Sequence, residues 1–150
     1  EDYMQETGKD LIIVAVECNH QGNNRLMEYS PVAYRNKQHG SIPGKAPVYM
    51  DWLVNQLKPF IDRTLRTYPD REHTSLAGSS MGGLIALYGV SAYNHIFRQA
   101  VRPGADGQTY DILRGDGLQV ALSQMFHRGI GIGEGLEISH VFAVPIFGAD

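Results

Sequence analysis

The chain has 150 residues, 43% of them apolar, which is enough for one domain with a buried core. A formal net charge of −3 leaves no basic face for nucleic acid, and a single cysteine leaves no intramolecular disulfide framework. No apolar run approaches the ~20 residues of a membrane span, so neither nucleic acid nor a bilayer is an expected partner. The chain does not open on a basic-then-apolar leader, so the cytoplasm is slightly favoured as an expectation, with the compartment left open.

In chain order, Glu1 to Thr7 suits the tail of a helix that Gly8 stops. Leu11 to Val16 is a continuous apolar run flanked by charge, the pattern of a strand buried on both faces in a parallel sheet. Cys18 follows it as a buried, inert thiol. From Asn19 to Pro47 the chain is polar and punctuated by Gly22, Pro31, Gly40, Pro43 and Gly44, which predicts a long irregular loop able to line a substrate cleft. Within it, Arg25 is expected to pair with Glu28. Leu53, Leu57, Phe60, Ile61 and Leu65 recur at helical spacing, so 48–67 reads as an amphipathic helix, kinked at Pro59. His73 to Ala77 is a short buried strand, and Leu84 to Tyr88 opens another helix. This βαβα rhythm indicates an α/β domain.

After Ala100 the texture changes. More than half of the 17 glycines lie there, and no lysine occurs beyond Lys58. Val120 to Phe126 suits a short helix and Ile138 to Phe147 a strand. The alternating glycines from Gly129 to Gly133 lack the preceding strand and spacing of a dinucleotide site, and no cofactor is expected. His20, His39 and His73 lack the close spacing of zinc ligands, so no metal is expected either.

One motif names a chemistry. Gly78-Ser79-Ser80-Met81-Gly82-Gly83 reads G-x-S-x-G-G between the predicted strand and helix. Such a turn lifts a serine hydroxyl out of the backbone, and its glycines give clearance two residues to either side. Ser80, with glycine two positions before and after, is therefore the candidate nucleophile. A serine hydroxyl attacks well only when a base takes its proton. The developing oxyanion needs preorganised donors, and the backbone N–H of Met81 directly follows the nucleophile.

Further blocks carry a resemblance: Leu11–Val16, Arg25 with Glu28-Tyr29-Ser30-Pro31, Leu57–Asp62 with Tyr68, Asp70–Thr74 and Ala77–Leu84. From Asp10 to Val101 the chain resembles the esterase group of α/β-hydrolases that contains enterochelin-esterase-like and esterase-D-like enzymes. The resemblance implies a single domain over 1–150. Its mostly parallel α/β-hydrolase sheet is flanked by helices, with a family-like core to residue 101 and a divergent part over 102–150. It also implies serine-dependent hydrolysis of small carboxylic esters without a cofactor. Strands that normally precede Leu11, and the loop supplying a second oxyanion donor, are not in this sequence, so the domain is read as truncated at its N-terminus.

Chain order in such folds is serine, then acid, then histidine. His140, before the last apolar run, is the assigned base, with His127 second and a structural histidine the competing reading. His95, on the far end of the helix after Ser80, is read as a solvated surface residue. Asp106, Asp111 and Asp116 are candidate acids; Asp116 is assigned, although turn chemistry also accounts for Asp106 and Asp116. Two rival functions remain: an acyltransferase on the same scaffold, and a catalytically inactive binding or assembly module. A long apolar edge at Leu11–Val16 predicts a homo-oligomer.

Overall fold

The computed structural model describes residues 12–22, 24–103, 110–114 and 140–145. Strand β1 (Val14–Glu17) is shorter than the apolar run that announces it, and exposure alternates along it instead of vanishing. Its place explains this. β1 ends a five-stranded sheet of order β1-β7-β4-β5-β6, so it has one ladder partner and one open edge among the described residues.

The stretch read as irregular between Asn19 and Pro47 holds helix α1 (Asn24–Tyr29) and a hairpin of β2 (Tyr34–Asn36) and β3 (Gly40–Ile42). Elements of three to six residues are too short to leave a periodic signature, which is why the pattern concealed them. Gly40, at φ 73°, takes the left-handed conformation that closes the hairpin. The ends of this excursion are pinned together. Lys45 N–H donates to the Met27 carbonyl at 2.8 Å, and Ala46 N–H to the Ser30 carbonyl at 3.0 Å. Orphan carbonyls at the end of α1 thus meet orphan donors at the start of the next helix.

That helix runs as α2 (Ala46–Trp52), a wide π turn (Leu53–Leu57) and α3 (Lys58–Thr64). The disturbance expected at Pro59 takes the form of this turn. Proline has no N–H for the Asn55 carbonyl and its ring crowds it. The preceding donor, Lys58 N–H, reaches back five residues to the Leu53 carbonyl. A single 3-10 turn (Arg71–His73) follows, capped by the Asp70 carboxylate accepting from Glu72 N–H at 2.9 Å.

Strand β4 (Thr74–Gly78), helix α4 (Met81–Ala92) and strand β5 (Gln99–Pro103) form a parallel β-α-β unit. Strand β6 (Tyr110–Arg114) turns back antiparallel on β5, and β7 (His140–Pro145) lies antiparallel between β1 and β4. Among the described residues the sheet is therefore mixed, not mostly parallel. The reason is local to the chain's last third, where a reversed partner for β5 and a reversed strand in the slot between β1 and β4 supply the antiparallel ladders. The α/β class holds. The predicted helix tail at Glu1–Thr7, the helix at Val120–Phe126 and the glycine run at Gly129–Gly133 lie outside the described residues.

The core joins the buried sides of α2 and α4 to β4 and β5. Met50, Leu53, Leu76, Ile85, Leu87, Val90 and Phe97 are all at most 2% exposed. Each such side chain contributes roughly 1.5–3 kcal/mol through burial. Helix α4 is apolar nearly all round and buried nearly all round, as its central position requires. Cys18 belongs to this core as a free, buried thiol.

Candidate active site

Ser80 stands between the last residue pair of the β4 junction and the first residue of α4, with φ 53° and ψ −123°. It is the one non-glycine residue with positive φ among the described residues. A side chain in this region of backbone space costs roughly 1–3 kcal/mol, so the surrounding structure must hold it there. Gly78 and Gly82 do part of that holding. A Cβ added at Gly78 would collide with the backbone carbonyl of Gly82, so the strand end and the helix start touch only because residue 78 is bare.

The Ser80 side chain is exposed and, although it occupies the N-cap, makes no capping hydrogen bond. Serine at this position usually spends its oxygen on a backbone donor of the first turn. Here the backbone serves that turn instead: Gly82 N–H donates to the Ser79 carbonyl at 2.8 Å and Leu84 N–H to the Ser80 carbonyl at 3.2 Å. The hydroxyl is left for other work. Met81, as the first helical residue, has an N–H with no intrahelical carbonyl to reach. The helix dipole places partial positive charge at the same spot.

The other assigned residues fare differently. His140 is the first residue of β7, paired in register with Glu17, while its neighbour Val141 pairs with Gly78. The base candidate thus begins the strand beside β4, at the sheet edge from which the Ser80 turn rises. Asp116, Asp106 and His127 lie outside the described residues. Asp111 sits in β6, in register with Arg102 of β5. His95 is exposed, as its position after α4 suggested.

A histidine–carboxylate pair does exist elsewhere: His73 Nδ1 lies 2.8 Å from Asp70 Oδ1. Burial tends to raise the Asp70 pKa, but the His73 hydrogen bond and charge and the Glu72 N–H outweigh it and hold the carboxyl below its ordinary range. This pair sits at the amino end of β4, the wrong end to serve Ser80. A second pair, His20 Nε2 to Glu17 Oε1 at 3.3 Å, stands at the carboxyl end of β1, on the same sheet edge as the turn. Among the described residues no group of three or more His, Cys, Asp or Glu is arranged to hold a metal, and no helix is long and apolar enough to cross a membrane.

Ser80 does not line the best-formed cavity among the described residues. About 440 Å³ opens instead between the end of β1, helix α1 and the start of α2. Sequence reasoning pointed to this polar stretch as a cleft lining without naming its residues, since α1 was not legible as an element.

The family described as "Putative esterase" matches residues 1–102. The chain belongs to that family. The match ends where the chain's texture changes, one residue past the Asp10–Val101 span that carries the resemblance. "Uncharacterized protein YbbA" of Bacillus subtilis (strain 168) is 25% identical over 97 residues, covering 63% of this chain and 37% of that protein. The chain therefore spans little more than a third of that relative's length. No solved structure matches.

Proposed function

We propose that this esterase-family chain hydrolyses small carboxylic esters through an acyl-enzyme on Ser80. The observation that carries the reading is an exposed serine held at positive φ on a strand-to-helix turn, with its hydroxyl not used as a helix cap. That is the arrangement of a nucleophile elbow. Family membership supports the ester as substrate class.

In the proposed reaction the imidazole of His140 accepts the Ser80 hydroxyl proton as Oγ bonds to the ester carbonyl carbon. The carbonyl electron pair moves to oxygen, and the Met81 N–H stabilises that oxyanion. Collapse breaks the bond to the alcohol, which leaves with the proton from His140. Water then repeats the sequence on the acyl-enzyme, releasing the acid and restoring Ser80. Asp116 is assigned to orient His140. No metal or cofactor takes part in any of these steps.

A fluorophosphonate probe tests the nucleophile directly. It should label the protein at Ser80, and Ser80→Ala should abolish both labelling and turnover of a short-chain nitrophenyl ester. Folded protein that takes no label would leave the binding-module alternative. Product analysis with added alcohols separates hydrolysis from acyl transfer.

A further inference from the structure

A second cavity, of about 420 Å³, opens at the other end of the sheet. It lies between helix α3, the turn that leads into β4 and the connection from α4 to β5, at the amino ends of those two parallel strands. The five residues of β4 put roughly 15 Å between it and the Ser80 turn. Its volume suits a small molecule, and no proposed catalytic residue lines it.

Most of its charged groups are already engaged. Lys58 Nζ donates to Asp62 Oδ2 at 2.7 Å and to the Pro69 carbonyl at 2.8 Å. Asp70 accepts from Glu72 N–H at 2.9 Å and pairs with His73 Nδ1 at 2.8 Å. Arg71 donates through Nε to the Asn94 carbonyl and through Nη1 to Glu72 Oε1. Its guanidinium is thus held in place before any ligand arrives, which lowers the ordering cost of binding. Glu72 is shared, because Arg98 Nη1 lies 3.0 Å from its other oxygen. Arg63 stands exposed on the rim, without a carboxylate partner among the described residues.

Around the groove four cations, Lys58, Arg63, Arg71 and Arg98, face three carboxylates, Asp62, Asp70 and Glu72. One positive charge is left over with His73 and His95 taken as neutral, on a chain whose net charge is −3. That excess selects the ligand. A cation is repelled, a neutral molecule gains nothing from it, and a second negative charge would stand uncompensated near Asp62 and Asp70. A phosphate monoester brings about −1.5 to −2 at neutral pH. A carboxylate brings one charge and matches the fork of a guanidinium. Pro59, Pro69 and Ile96 supply the apolar part of the wall. We propose that this groove binds a small monocarboxylate with an apolar body, its carboxylate between Arg63 and Arg71. The acid freed by ester hydrolysis has this chemistry. The groove is then a product-binding site remote from Ser80, a conclusion that rests on the esterase reading; carboxylate binding itself does not.

Fluorine NMR of para-fluorobenzoate reports binding without catalysis. Its resonance should shift or broaden saturably with the full chain. Neutral para-fluorobenzyl alcohol and dianionic fluorophthalate should bind about tenfold more weakly or worse, the worth of one charge-assisted hydrogen bond. Arg63→Ala should weaken para-fluorobenzoate by a similar factor and Arg63→Lys should restore part of the loss; Arg71→Gln serves if Arg63→Ala does not fold. Blocking Ser80 with a fluorophosphonate should leave binding unchanged. No saturable response, equal affinity for the alcohol or the dianion, an unchanged response in the arginine variant, or loss of binding on blocking Ser80 overturns the proposal. Protein that takes no fluorophosphonate yet binds para-fluorobenzoate through its arginines would remove the esterase reading and leave the carboxylate site standing.

Discussion

Ser80 carries two separable properties, its hydroxyl and its backbone conformation, and substitutions divide them. Ser80→Ala removes the oxygen but keeps a Cβ at φ 53°, whereas Ser80→Gly removes the oxygen and the steric cost together. Both should be inactive, and thermal denaturation should show Ser80→Gly the more stable by about 1–3 kcal/mol. Equal stability would mean the turn is not strained. Ser79 lacks the flanking glycines, so Ser79→Ala should retain most turnover of a nitrophenyl ester; if Ser79→Ala is the inactive variant, the nucleophile has been misassigned. For the base, His140→Ala should slow turnover by ~10²–10⁴, the usual worth of general-base catalysis. Neutral imidazole is the active form, so the wild-type rate should rise with pH across the neutral range as the imidazole loses its proton and then level. A profile flat across that range would exclude a histidine base.

At the level of elements, β4 and α4 meet through two kinds of close approach. Gly78 abuts the rigid backbone of Gly82, while a Cβ at Gly89 would meet Leu76 Cδ1 and Met50 Cε, the far ends of flexible side chains. Gly78→Ala should therefore cost at least the roughly 1–3 kcal/mol typical of overpacking, and should displace the turn. Gly89→Ala should come out near neutral, since a helix-interior alanine gains about 0.5–1 kcal/mol over glycine and offsets the side-chain shifts. Paired urea melts and activity assays check this contrast: if Gly89→Ala proves the more damaging, the packing of α4 on Leu76 and Met50 is less adaptable than argued. The same scale shows where sequence patterns fail. The π turn before Pro59 was legible as a disturbance because proline's missing donor is a covalent fact. Helix α1 and the β2–β3 hairpin were not, because each is held by contacts with its surroundings rather than by its own repeat.

For the whole molecule, β1 leaves one edge unpaired among the described residues, and Ile13 beside it is 58% exposed. Such an edge offers unpaired donors and acceptors to another chain. We therefore expect self-association through β1, which light scattering should detect; a monodisperse, fully active wild-type monomer would argue against it. Much of this protein was set locally. The G-x-S-x-G-G turn, the buried β4 strand, helix α4 and the long helix before them follow from glycine clearance, apolar runs and helical spacing over a few residues. The family follows from several such blocks standing in order. Other features depended on partners distant in the chain. The apolar run at Leu11–Val16 could not disclose that its strand would lie at a sheet end, because exposure is set by neighbours rather than by composition. Nothing near His140 revealed that its strand would run antiparallel into the slot between β1 and β4, bringing residue 140 to the edge where Ser80 rises. Register across a sheet joins residues far apart along the chain, so only the tertiary structure decided it.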